Sequence, residues 1–153
     1  MSQTTSASLP RNLAIAYAML IAYACLHPLA GWHASGLPVF DYLLAPWPKY
    51  FIVEDFLINI VGYLPFGFLF AASLPPSWRG WRSIAIASAV GVLLSLGLET
   101  AQNFLPSRVA SNLDLGGNAV GGLLGALLGV RWGQAWFGRH GIIHRWRAEW
   151  IIG

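Results

Sequence analysis

Residues 113–132 read LDLGGNAVGGLLGALLGVRW. Apart from Asp114 near the start and Arg131 near the end, the stretch carries no charge. About 20 helical residues, rising 1.5 Å each, cross the roughly 30 Å of hydrocarbon in a bilayer, so this segment is long enough to span one. Gly117, Gly121, Gly125 and Gly129 recur every four residues and fall on one helix face. In lipid, where packing replaces the hydrophobic drive, such a bare face lets a neighbouring helix come close.

Outward from this segment, three more stretches have the same character: about Asn12 to Trp32, Asp55 to Leu74 and Arg82 to Phe104. The first has no charge between its ends, and in the others the acids and arginines sit at or near the termini. All eight tryptophans (Trp32, Trp47, Trp78, Trp81, Trp132, Trp136, Trp146, Trp150) lie at a helix end or outside the spans, as an interfacial aromatic belt requires. Composition agrees. The chain of 153 residues is 56% hydrophobic and 10% charged, against about 25% charged in an ordinary soluble domain. A soluble enzyme and a disordered tail are excluded, and a net charge of +3 from scattered cations is no footprint for nucleic acid. The single cysteine, Cys25, excludes an internal disulfide and a thiolate metal cluster.

The expected fold is therefore an all-α membrane protein with four transmembrane helices arranged as two hairpins. Residues 1–11 form a cytoplasmic N-terminus, 12–132 the membrane domain and 133–153 a basic-aromatic juxtamembrane tail. The first helix is read as uncleaved, because its apolar run is long for a signal core. With both termini inside, Arg11, Arg79, Arg82, Arg131, Arg139, Arg145 and Arg147 lie on the cytoplasmic side, against Lys49 and Arg108 outside, in keeping with the positive-inside rule. In the tail, His140 and His144 share a helix face, but without a third ligand they read as interfacial histidines. No metal or cofactor is expected.

The rare polar residues gather at one depth. Asp55 and Asn59 open the second helix, Ser95, Glu99, Gln102 and Asn103 close the third, Arg108 lies in the loop, and Asp114 and Asn118 open the fourth. Ionisable groups in a membrane usually face a bundle interior or a wet cavity and usually have a partner. Arg108 is the only local cation, so a Glu99–Arg108–Asp114 pairing is expected. Ala87, Gly91 and Ser95 form a small-residue stripe on the third helix. The glycine face of the fourth is expected to pack against it, with Glu99 beside Asn118 or Asp114. A weak repeat, Asp55-x3-Asn59-x-Val61-Gly62-x-Leu64 against Asp114-x3-Asn118-x-Val120-Gly121-x-Leu123, suggests a pseudo-twofold axis along the membrane normal with a site between the halves. Pro65 frees the Val61 carbonyl and is expected to kink the second helix.

The pattern Asp55-x3-Asn59…Pro65-x-Gly67, Ser95-x3-Glu99-x2-Gln102…Pro106-x-Arg108 and Asp114-x3-Asn118-x2-Gly121-x3-Gly125 resembles the VanZ-like family of small bacterial membrane proteins. The resemblance covers about Asp55 to Gly129. A departure is Gly116-Gly117 ahead of Asn118, where bulkier apolar residues are expected, and it loosens the helix start. The resemblance implies a multi-pass protein of the bacterial cytoplasmic membrane. It also implies a link to low-level resistance to the glycopeptide teicoplanin, which acts at the outer surface.

Three functional readings follow. In the first, an outward-facing pocket of Asp55, Asn59, Gln102, Arg108 and Asn118 binds or modifies an envelope component, with Arg108 and the start of the fourth helix holding a phosphate or carboxylate. Membrane lipids are then the partners, specifically a lipid-linked cell-wall precursor or a phospholipid headgroup, and a homo-oligomer is allowed. In the second, Glu99 and Asp114 are a catalytic carboxylate pair of an intramembrane hydrolase or transferase. In the third, the polar groups only glue helices together, with Pro65, Gly67, Gly117, Gly121 and Gly125 shaping the packing. A transporter has weaker support, because the inner half offers no polar continuation.

Overall fold

The structure, a computed structural model, describes residues 8–34, 36, 38–46, 53–78, 80–138, 141–143 and 145. Among the described residues four helices are long and apolar enough to cross a membrane: α1 Ser8–Leu26, α2 Val53–Ser73, α3 Trp81–Gln102 and α4 Asn112–Phe137. Short 3-10 turns occupy Asp41–Leu44 and Pro76–Trp78. Arg79, Arg139, Arg147, Lys49, Trp47, Trp146, Trp150, His140 and His144 lie outside the described residues.

The helix ends have local causes. Pro10 stands in the first turn of α1, where a missing N–H costs nothing. At the other end α1 stops at Leu26 rather than running to Trp32, because Pro28 disfavours helical backbone at His27 and has no N–H of its own. The fourth helix gains a turn beyond Trp132 and ends at Phe137. Its start is firm despite Gly116-Gly117. The Ser111 hydroxyl accepts from the N–H groups of Leu113 and Asp114, at 3.2 and 3.4 Å, a serine N-cap. Helix α2 runs through Pro65 without interruption.

Helices consecutive in the chain alternate in direction, as matched contacts show. Ser95 meets Asn118, Gly91 meets Gly122, and Ala87 is buried with Ala126, so α3 and α4 run antiparallel. The glycine face of α4, however, does not meet α3. A Cβ on Gly117 would press on Phe56 and Asn59. On Gly121 it would strike the Ile60 carbonyl, on Gly125 the Leu64 carbonyl, and on Gly129 the Phe68 carbonyl and Ala71. These contacts advance four residues at a time on both sides, so α2 and α4 lie parallel, backbone on backbone. From the α2 side, Gly67 answers with a Cβ position filled by the Gly122 carbonyl. The sequence pattern identifies a close-packing face but not which helix fills it, and α2 offers the longer matching ridge.

A second core joins α1, α2 and α3 through Ile21, Tyr63, Phe66 and Leu98. Large apolar side chains such as Met19, Ile58, Val61 and Leu93 are exposed on the outer surface, where acyl chains are the solvent. Arg11, Arg82 and Arg131 fall at one end of the bundle, with Arg82 and Arg131 stacked on Trp81 and Trp132 at 5.8 and 5.9 Å from the ring centres. At the opposite end α1 and α3 finish, α2 and α4 begin, and the polar residues collect.

Candidate functional site

At this polar end Glu99, Asn59, Asn118 and Gln102 are each held by a specific partner. Glu99, 4% exposed, accepts a hydrogen bond from the Ser111 N–H at 2.9 Å. The unbonded amides at the start of α4 carry partial positive charge, and one of them meets the carboxylate. Asn59 Nδ2 donates to Asp114 Oδ1 at 2.9 Å, which joins α2 to α4. Asn118 Nδ2 donates to the Ser95 hydroxyl at 2.9 Å, which joins α4 to α3. Gln102 Nε2 donates to the Cys25 carbonyl at 3.0 Å, which ties α3 to the end of α1.

Arg108 does not pair with Glu99 or Asp114. Its Nε donates to the His27 carbonyl at 3.2 Å, and its Nη2 to the carbonyls of Ala24 and His27 at 3.0 and 3.1 Å. The reason is the early end of α1. A helix that stops leaves its last carbonyls without partners and with partial negative charge, and a guanidinium in the facing loop caps them. The acids are instead satisfied by amide donors. Asp55 stands at the exposed start of α2. The two Asp-x3-Asn copies are thus used unequally, since Asn59 reaches across to Asp114 while Asn118 turns to Ser95.

The cluster borders a crevice of about 410 Å³ between α1 and α2. Tyr17, Leu20, Ile21, Ala24, Cys25, Ile58 and Gly62 form its sides, with Asn59, Tyr63 and Asn118 as its polar lining. Leu20 and Ile58 are 57% and 66% exposed, so the mouth opens on the face that meets acyl chains. Two polar atoms on this lining are buried without a partner: Asn118 Oδ1 and the Tyr63 hydroxyl. Buried polar groups are nearly always hydrogen-bonded, and an orphan needs an explanation. Arg108 lines a different cleft of about 400 Å³ among the loops, with His33, Asp41, Tyr42 and Asn103. Neither Glu99 nor Asp114 lines the crevice. Among the described residues no three His, Cys, Asp or Glu side chains converge as a metal ion would need.

The residue pattern of the VanZ/LLP1 family matches residues 13–133. The chain belongs to this family. It is accordingly a multi-pass integral membrane protein of a bacterial inner membrane. Over 95 residues it is 28% identical to a protein from Stutzerimonas stutzeri (strain A1501) named fluoride-specific ion channel FluC, covering 58% of this chain and 77% of that one. No solved structure matches the chain.

Three participants are not evident from the polar spacings considered above. Ser111 is a serine directly before a helix, an N-cap signal that was available in the sequence. Tyr63 continues the Asp55, Asn59 stripe by one more turn, so its phenol could have been placed beside Asn59. Tyr17, whose hydroxyl donates to the Gly62 carbonyl at 3.1 Å, has no such signal, because its partner is 45 residues away.

Proposed function

We propose that this VanZ/LLP1 protein binds the headgroup of an amphiphilic envelope component, a lipid-linked cell-wall molecule or a membrane lipid, at the outer side of the bilayer. The observation that carries this reading is the membrane-facing crevice lined by Asn59, Tyr63 and Asn118, two of which carry a buried polar atom without a partner. Ligand sites are typically apolar clefts with a few placed polar groups. The orientation belongs to the same proposal. Arg11, Arg82 and Arg131 mark the cytoplasmic end, both termini lie inside, and the four helices form two hairpins about a pseudo-twofold axis. A link to teicoplanin susceptibility would follow from binding at that outer surface.

Replacing Gly62 by leucine tests the reading, because nothing lies within 4 Å of a Cβ there and the side chain would enter the crevice. Protein purified from membranes should carry co-purifying lipid by native mass spectrometry, and G62L should lose it. An identical lipid profile in the two proteins would overturn the proposal. Reporter fusions at each terminus check the orientation.

A second reading, a path for a small anion, draws on the resemblance to the protein named a fluoride channel. It is supported by one further feature, the buried and unpartnered Ser88 hydroxyl, two turns from Ser95 toward the arginine end. Fluoride efflux from proteoliposomes tests it. The carboxylate-pair reading has less support, since Glu99 and Asp114 each accept from an amide and stand outside the crevice.

A further inference from the structure

The charges around the crevice narrow the ligand. None of its ten lining residues is ionisable as an acid or a base near neutrality, and none is cationic. Directly behind Asn59 stands the carboxylate of Asp114, with Glu99 held on the Ser111 amide nearby. The one arginine at this end is engaged by the carbonyls of Ala24 and His27 and faces the other cleft. Among the described residues a phosphate or carboxylate entering the crevice would meet no cation on the lining itself, Arg108 standing behind the wall formed by Ala24 and Cys25, and would approach an acid in a medium that screens poorly.

Donor and acceptor counting points the same way. The amide nitrogen of Asn118 is spent on Ser95, which leaves its Oδ1 as an acceptor that needs a donor. An ionised carboxylate offers acceptors only. A hydroxyl or a primary or secondary amide can donate to Asn118 Oδ1 and also accept from the Tyr63 hydroxyl, whose nearest polar neighbour is Ser95; both atoms are closed off in this structure, so the two side chains turn toward the headgroup as it enters.

We infer that the crevice takes the uncharged, hydroxyl- or amide-bearing headgroup of a lipid that enters sideways between α1 and α2, and that it discriminates against anionic headgroups. This rests on the binding reading above and names its ligand class. It also replaces the expectation that Arg108 holds a phosphate at the same place. If a lipid-linked precursor binds, its sugar or peptide portion occupies the crevice and its phosphate lies elsewhere.

The only cysteine of the chain supplies the reporter, since Cys25 lines the crevice and is partly exposed. The protein is placed in phosphatidylcholine nanodiscs, whose headgroup has no hydrogen-bond donor. Alkylation of Cys25 by a membrane-permeant maleimide is then timed during titration with monooleoylglycerol or with oleate. Monooleoylglycerol should slow alkylation several-fold and oleate should not. Asn118→Leu should raise the monooleoylglycerol needed by about tenfold, the scale of one lost hydrogen bond to a buried group. Tyr63→Phe, which removes a hydroxyl with Ser95 as its nearest polar neighbour, keeps the ring packing of the core and should raise it by a smaller factor.

Protection by oleate equal to or better than that by monooleoylglycerol overturns the inference and leaves the binding reading standing. Protection by neither overturns it too. A total lipid extract then decides the broader reading, which fails if the extract also gives no protection. Unchanged monooleoylglycerol protection in both N118L and Y63F would remove the assigned contacts and with them the inference.

Discussion

Helix α2 has two very different neighbours. Toward α4 it presents the carbonyls of Ile60, Leu64 and Phe68 to glycines whose missing side chains make room for them, and the two backbones meet with nothing between. Toward α1 it leaves a crevice of about 410 Å³, spanned by Tyr17 on the Gly62 carbonyl and closed at the polar end by Gln102 and Arg108 gripping the last carbonyls of α1. One interface is continuous and dispersive; the other is a few polar clasps around a space. Small-residue faces generate rigidity in lipid, and a helix attached by its end can border a binding site without filling it.

This contrast can be broken most severely at Gly125. Gly125→Leu should cost about 3 kcal/mol or more, at or beyond the upper range for overpacking, and should part α2 from α4 rather than α3 from α4. Denaturation in mixed micelles, with a distance label on each helix pair, checks both points. Next in size is Asn59→Leu, which leaves the half-buried Asp114 carboxylate without its donor and should cost roughly 1–3 kcal/mol in the same assay.

Arg108→Ala acts on the other side. Its guanidinium is exposed, so the stability change should be only about 1 kcal/mol. Alkylation of Cys25 should nevertheless accelerate, because the end of α1 is freed. An unchanged rate would show that the clasp does not hold the helix.

The smallest effect sharpens the comparison furthest. Gly62 and Gly121 occupy the same place in the two copies of the repeat. A Cβ at Gly121 collides with the Ile60 carbonyl, while one at Gly62 meets nothing within 4 Å. Gly121→Ala should cost about 1–3 kcal/mol and Gly62→Ala less than about 0.5 kcal/mol. Equal costs would mean that the α2–α4 contact is wrongly drawn.

Much of the architecture could be read before any coordinates. The four spans, the tryptophans at their ends and the polar end of the bundle follow from residue order, because hydropathy and the 3.6-residue period are local properties. The arginine's role could not be read. Its choice between Glu99 and the end of α1 depended on where α1 stops, and the residue that sets this, Pro28, lies 80 positions away in sequence. Ser111 was legible as a cap, but not as the donor to Glu99.

Residue order alone determined that this is a four-helix membrane protein with its amides and acids at one depth, since the bilayer imposes length and polarity on each segment separately. Only the tertiary structure decided that the glycine ladder of α4 belongs to α2, that Gly62 and Gly121 differ, and that Asn118 and Tyr63 border the crevice beside α1. Those outcomes depend on which helix faces meet, and a face carries no label for its partner until the backbones are brought together.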